Sequence, residues 1–429
     1  MRRKNYFKDK NILIVGLSRS GFAAAQLLEK LEGKIRITDN QDTPFLRRNL
    51  ELLTSKNKNI EFELGGHSFR FLEGIDLVVV SPGVPDNSLP IQWAKQSRIP
   101  IISEVELAWL FCPAEIIAIT GTCGKTTVTT LVGRLIEAWR KKVFICGNIG
   151  VPFSQEVLKM QKGDYVSLEV SSFQLEYIDS FKPRIAVMLN FSRNHLDRYK
   201  SMEDYLLAKE RIFKNQDRQD FLVLNYEDIT IRNLSRKAKS KVVFFKKEEG
   251  FNANQAAVLV VAEILGIDKD VALKVLADFK GLEHRMEEFL EVDGVRFIND
   301  SKSTTPEATI WALNNLNSPV ILIAGGREKG NDYEEVVKIS RGKLKLLLAI
   351  GEAKENILNA FGKNFCVIPA NSLEEAVRKA WLAASRGDCI LLSPMCKSFD
   401  MFANYEERGR IFKEIARNIT QQKVKINAS

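Results

Sequence analysis

Apolar positions along the chain gather in short continuous runs, which alternate with longer stretches where they recur every three or four residues. Asn11-Ile-Leu-Ile-Val-Gly16, Lys34-Ile-Arg-Ile-Thr-Asp39, Ile60-Glu-Phe-Glu-Leu-Gly65 and Leu77-Val-Val-Val-Ser-Pro-Gly83 read as strands. Strands separated by helical spacing imply a parallel sheet with helices packed on its faces. A fresh run, Glu115-Ile-Ile-Ala-Ile-Thr120, opens a second unit. It continues through Tyr165-Val-Ser-Leu-Glu-Val170, Arg184-Ile-Ala-Val-Met-Leu-Asn190 and Phe221-Leu-Val-Leu-Asn225. A third unit begins near Gly281, with candidate strands Val295–Asn299, Val320–Ala324, Leu346–Ile350 and Cys389–Ser393. Nothing repeats at a solenoid period, and no low-complexity linker interrupts the pattern. The pattern predicts an α/β protein of three domains, 1–103, 104–281 and 282–429. Each carries polar or glycine-rich residues just past strand C-termini, the edge at which open parallel sheets bind ligands.

Composition narrows the class. A chain of 429 residues is too long for one compact core, and 45% hydrophobic with 27% charged residues is ordinary for a globular protein and far from disorder. No apolar run is long enough to cross a bilayer. The run that follows Met1-Arg-Arg-Lys-Asn-Tyr-Phe-Lys8 is too short for a signal peptide. A cytoplasmic protein, not attached to a membrane and monomeric, is expected. Cysteines 112, 123, 146, 366, 389 and 396 are scattered, which fits reduced thiols better than disulfides or a zinc site. The net charge of +9 suits small phosphorylated or acidic ligands. Its dispersal, without an aromatic-basic motif, argues against nucleic acid as a partner.

Candidate chemistry starts at Ile119-Thr-Gly-Thr-Cys-Gly-Lys-Thr-Thr127. The stretch lacks the first glycine of G-x-x-x-x-G-K-[ST], yet it joins a strand to a helical pattern over 126–136. Gly121 and Gly124 let backbone N–H groups turn toward an anion at a helix N-terminus. Lys125 can reach β- and γ-phosphates and the Thr126 hydroxyl can ligate Mg²⁺; a tight turn that merely contains G-K-T is the weaker reading. Glu169 ends the neighbouring apolar run, where an acidic residue commonly serves Mg²⁺, although a carboxylate satisfied at a helix start is the plainer alternative. His195 follows the next strand edge. Lys209 stands four after Tyr205 and three and four before Ile212 and Phe213, on the apolar stripe of a helix. Spacing alone favours a lysine that snorkels to solvent. Burial would instead favour the neutral amine, which could carry a carbamate. In the first domain, Gly16-Leu-Ser-Arg-Ser-Gly21 and Asp39 occupy the positions of a Rossmann-like turn and its ribose or base contact. In the third, Asn299–Pro306, Gly325–Gly330 and Leu392–Gly409 bring Lys, Ser and Asp to one expected edge, as a site for anionic groups would.

These residues together resemble the Mur ligase family. The resemblance rests on Thr120–Thr127, Gly147-Asn-Ile-Gly150, Glu169-Val-Ser-Ser-Phe-Gln-Leu-Glu176, His195-Leu-Asp-Arg198, His284-Arg285, Asp300-Ser-Lys302 and Gly325-Gly-Arg-Glu-Lys-Gly330. The segment Leu392–Gly409 looks like that of the family's D-glutamate-adding members. The chain departs from the family at Cys123, Asn194, Glu328, Lys397 and Phe251-Asn-Ala-Asn-Gln255. The resemblance implies a Rossmann-like N-terminal domain, a central P-loop ATPase-type domain and a Rossmann-like C-terminal domain. It further implies ATP-dependent addition of D-glutamate to UDP-N-acetylmuramoyl-L-alanine. Gly121, Thr122, Cys123, Gly124, Lys125, Thr126, Thr127, Asn252, Arg285, Asp300 and Lys302 would bind ATP. Thr126 and Glu169 would hold one Mg²⁺, and His195 and Lys209, the latter as N6-carboxylysine, a second. Arg19, Ser20, Asp39, Asn40, Gly83 and Asn148 would hold the UDP-sugar, and Thr304, Lys329, Ser393 and Phe399 the amino acid. A related Mur ligase or a folylpolyglutamate-type ligase with other substrates, and a nonenzymatic nucleotide-binding protein, stay open at this point.

Overall fold

The computed structural model describes residues 6–427 except 56, 58, 196, 197 and 329, with backbone alone over 422–427. The strands are β1 (Asn11–Val15), β2 (Lys34–Asp39), β3 (Glu61–Leu64), β4 (Leu77–Val80), β5 (Ile101–Ser103), β6 (Glu115–Thr120), β7 (Val143–Gly147), β8 (Tyr165–Glu169), β9 (Ile185–Met188), β10 (Phe221–Asn225) and β11 (Lys241–Phe245). They continue as β12 (Glu287–Val292), β13 (Val295–Asn299), β14 (Val320–Gly325), β15 (Leu344–Ile350), β16 (Val367–Pro369) and β17 (Cys389–Leu392). The three sheets run β3-β2-β1-β4-β5, β11-β10-β9-β6-β8-β7 and β12-β13-β17-β14-β15-β16. Every pairing is parallel except that of β12 with β13.

Two compact units divide the chain, residues 1–279 and 280–429. In the first, one continuous apolar core runs under both sheets, from Ile12 and Ile14 through Val105, Leu107 and Phe153 to Ala118 and Leu168. The helix Glu104–Trp109 joins the two sheets. Ser103 caps it, its hydroxyl accepting from Glu106 N at 3.3 Å. Its two buried carboxylates are engaged by segments of the second sheet. Glu104 accepts from Ser154 N at 2.6 Å. Glu106 accepts from the backbone N–H groups of Asp179, Ser180 and Phe181 at 2.9–3.0 Å and from the Ser180 hydroxyl at 2.5 Å.

Strands the sequence predicts in the middle of each sheet are present, because residues buried on both faces read as unbroken apolar runs. The sequence reading did not assign strands at β5, β7, β11, β12 and β16. All five lie at sheet edges, where one side lacks a partner strand and the apolar signal is shorter or diluted. Lys241–Phe245, for example, is largely exposed or half-buried until Phe245.

Candidate active site

Three loops converge at the C-terminal ends of β6, β8 and β9, which the second sheet sets side by side. The loop after β6 turns at Gly124 (φ 81°), the residue that precedes the helix Lys125–Ala138. A side chain there would be strained by this φ, and its Cβ would lie 2.4 Å from Asn254 Oδ1. Asn190, just past β9, grips the same loop. Its Oδ1 accepts from Thr122 N at 3.1 Å and Cys123 N at 2.8 Å, and its Nδ2 donates to Cys123 O at 3.1 Å. Lys125 curls back so that Nζ donates to the carbonyls of Gly121 and Thr122, both at 2.9 Å. Thr126, in the first turn of that helix, is nearly buried, at 3% exposure, with Thr127 beside it.

Glu169 ends β8 directly opposite Ile119 of β6. It is buried, and its Oε1 accepts from Asn148 Nδ2 at 2.8 Å. Lys209 does not snorkel. Its amine turns inward, is 1% exposed and donates to Gly121 O at 2.8 Å. Burial, and then the charge of Lys125, holds this amine well below the ordinary lysine range, against opposite pulls from Cys123 and Glu169. The helix Met202–Glu210 ends just past Lys209 and passes into a tight turn over 211–213. The loop, Glu169 and Lys209 therefore surround one point. His195 lies on the next loop in a left-handed conformation (φ 57°), with Asn194 Oδ1 accepting from its N–H at 2.8 Å. Its ring packs on Phe173 and Tyr205, with centroids 4.7 and 5.7 Å away, and the Lys209 amine is 4.7 Å from the same Tyr205 ring.

The first sheet presents its own edge. Gly21 faces Gly16 so closely that a Cβ would stand 1.8 Å from the Gly16 carbonyl oxygen. Asp39 is committed to the turn, accepting from Leu17 N at 2.8 Å and Gln41 N at 3.0 Å. Arg19, Asn40 and Gly83 are exposed and Ser20 half-buried. Arg19 Nη2 donates to Asn148 O at 3.3 Å, which brings a candidate residue of the first sheet to one of the second. Asn252 is exposed and caps the helix Ala253–Leu265 in a reciprocal pair with Gln255. Asn254, two residues on, is the one that approaches the loop.

In the second unit, Asp300 follows β13 and is 3% exposed. It accepts from Met286 N at 3.2 Å and from the Ser393 hydroxyl at 2.8 Å. Burial pushes its carboxyl up to about 6, against the pull of Ser303, Ser393, the Met286 N–H and Arg285. Ser393 is fully buried and its hydroxyl also lies 2.8 Å from that of Thr309. The Lys302 ammonium stands 5.4 Å from the Tyr405 ring centre. Arg285 and Thr304 are half-buried and Phe399 is 56% exposed; Lys329 lies outside the described residues. Sequence reasoning missed Asn190 and Asn254. Asn190 was legible as a polar residue ending an apolar run, the signal that selected Glu169; nothing local marks Asn254, which the returning helix brings to the loop.

A buried carboxylate, a hydroxyl and a phosphate-type loop at one sheet edge are the arrangement of a nucleotide-using α/β protein. Models of the MurD-like Mur ligase N-terminal domain, the Mur ligase middle domain and the Mur ligase glutamate ligase domain match residues 10–103, 119–269 and 284–396. The chain belongs to the Mur ligase family. It is 40% identical to the UDP-N-acetylmuramoylalanine--D-glutamate ligase of Thermoanaerobacter pseudethanolicus over 95% of this chain and 98% of that one. The enzyme of the same name from Geotalea uraniireducens is also 40% identical, over 96% of this chain and 98% of that one. Among solved structures, the UDP-N-acetylmuramate-alanine ligase of Thermotoga maritima shares the fold with a TM-score of 0.59 at 19% identity, covering 95% of this chain and 99% of that one. The bifunctional folylpolyglutamate synthase/dihydrofolate synthase of Yersinia pestis shares it with a TM-score of 0.55 at 14% identity, covering 72% and 92%.

Proposed function

We propose that this protein is an ATP-dependent amide ligase that joins D-glutamate to UDP-N-acetylmuramoyl-L-alanine in peptidoglycan precursor synthesis, working as a monomer in the bacterial cytoplasm. The observation that carries the reading is 40% identity to D-glutamate ligases across 95% of the chain. The gathering of the β6 loop, Glu169 and Lys209 supports an enzyme rather than a nonenzymatic binder, and the match to D-glutamate ligases favours this substrate pair over the folylpolyglutamate alternative.

A carboxylate is a poor electrophile, so the alanine carboxylate must first take the γ-phosphoryl group of ATP and then lose it as phosphate when the amine of D-glutamate attacks. The protein contributes positioning and electrostatics. Lys125 would exchange the Gly121 and Thr122 carbonyls for phosphate oxygens, with the amides of residues 121–127 around it. Thr126 and Glu169 would supply hard oxygen donors of the kind Mg²⁺ takes, and His195 and Lys209 would serve a second ion. Mg²⁺, when bound, supplies charge neutralisation between phosphates and the incoming carboxylate. The depressed basicity of Lys209 favours the neutral amine, the form that adds CO₂ to give N6-carboxylysine and a proton. Arg19, Ser20, Asp39, Asn40 and Gly83 would hold the uridine diphosphate and Asn148 the sugar–peptide arm. Arg285, Asp300 and Lys302 carry the ATP contacts proposed for the second unit, and Thr304, Lys329, Ser393 and Phe399 those to D-glutamate.

The test is phosphate release across a panel of amino acids, with the product mass measured. Release should require ATP, UDP-N-acetylmuramoyl-L-alanine and D-glutamate together. Turnover without the nucleotide-sugar, or with a different amino acid only, would overturn the assignment.

A further inference from the structure

We infer that Arg198, with Glu176 and Tyr199, is a positioning device that fixes His195 relative to the loop after β4. The device would couple the hold on the nucleotide-sugar to the placement of His195. The inference deepens the proposed function and rests on it for the identity of the nucleotide-sugar.

The bonds form a continuous path. The Ser81 hydroxyl donates to Gly16 O at 2.8 Å, which ties the loop after β4 to the glycine turn after β1. From the next residue, Pro82 O accepts from Arg198 Nη1 at 2.8 Å. The other side of the same guanidinium pairs with Glu176, Nη2 to Oε2 at 2.6 Å and Nε to Oε1 at 3.3 Å. Tyr199 donates its hydroxyl to Glu176 Oε1 at 2.5 Å. Arg198 N and Tyr199 N then both donate to His195 O at 3.0 Å, which ties the network to His195 at its positive φ. The Phe173 ring lies between the two functions, 4.2 Å from the Arg198 guanidinium and 4.7 Å from the His195 ring. Arg198 and Glu176 are 12% and 15% exposed, so the pair is only weakly screened. A planar fork that reaches a carboxylate and a carbonyl at once is a task for arginine and not for lysine. A left-handed histidine persists only where its surroundings over-determine it, and this network supplies that constraint.

The experiment uses full-length Arg198→Ala, Arg198→Lys and Glu176→Gln. In the free proteins, amide hydrogen exchange is followed at 198–200 and 82–88. Steady-state kinetics and calorimetric binding of UDP-N-acetylmuramoyl-L-alanine without ATP are measured alongside. Each variant should speed exchange in both segments. Arg198→Ala should lose about 10- to 100-fold in kcat/KM for the nucleotide-sugar while KM for ATP stays within about twofold, as expected for lost positioning. The double variant Glu176→Gln/Arg198→Ala should be little worse than Arg198→Ala, because the two act as one unit. If Arg198→Ala does not fold, Arg198→Lys carries the same expectations. Unchanged exchange in either segment, a rise in KM for ATP equal to that for the nucleotide-sugar, or additive single effects would each overturn the clamp. If wild type binds no nucleotide-sugar, the proposed function fails instead, and the exchange result still decides whether the clamp exists.

Discussion

Replacing Asp300 by Asn should stabilise the second unit at neutral and alkaline pH. The carboxyl is 3% exposed, and burial raises it from 3.8 to about 6. Between these values the folded state keeps a proton that the unfolded state has released, so stability falls as pH rises. Above about pH 6 both states are ionised and the full penalty stays. Each pH unit in that window is worth about 1.4 kcal/mol, so the penalty is about 3 kcal/mol at pH 8 and close to zero at pH 4. An Asn can still accept from Met286 N, and its amide can donate to the Ser393 hydroxyl if that hydroxyl turns toward Thr309. Urea unfolding of wild type and Asp300→Asn at pH 4 and pH 8, followed in the transition of residues 280–429, measures the difference. The variant should match wild type within about 1 kcal/mol at pH 4 and exceed it by up to about 3 kcal/mol at pH 8. Parallel pH profiles, or a variant less stable than wild type at pH 8, would refute the reasoning. Activity should fall in the same variant, since the charge retained at this stability cost is proposed to serve ATP.

Lys209→Ala should lower turnover at least about 100-fold if the lysine serves as a carbamate; near-normal turnover in the ligase assay would leave the buried amine a structural role only. Gly124→Ala places a side chain at φ 81° and against Asn254, so it should raise KM for ATP and cost about 1–2 kcal/mol of stability, both read from kinetics and a melting curve. Glu106→Ala strips acceptors from three backbone N–H groups and the Ser180 hydroxyl. It should destabilise residues 1–279 by about 3 kcal/mol in denaturant titration, and a change within about 0.5 kcal/mol would contradict the anchoring of the linking helix.

The pattern of apolar runs determined the α/β class, the central strands of each sheet and the placement of Gly121–Thr127, Glu169, Asp300 and Ser393 at strand ends. A strand buried on both faces must be apolar along its length, so its sequence carries its own address. Edge strands such as β11 and β12 have no such obligation, and their pairing depends on a neighbour that is remote in the chain. The direction of the Lys209 amine was likewise undetermined by spacing. Position on a helical stripe leaves a long side chain free to reach water or to turn inward, and the loop carbonyl at Gly121 decided between them. Asn190, Asn254 and Arg198 act across 67 to 130 residues of chain, on Thr122–Gly124 and Pro82, and no local pattern encodes a partner at that separation. Local residues set which elements form and where their polar ends emerge. Only the packing of those elements decided which polar ends meet, because a hydrogen bond between distant segments exists only after the sheet has ordered its strands.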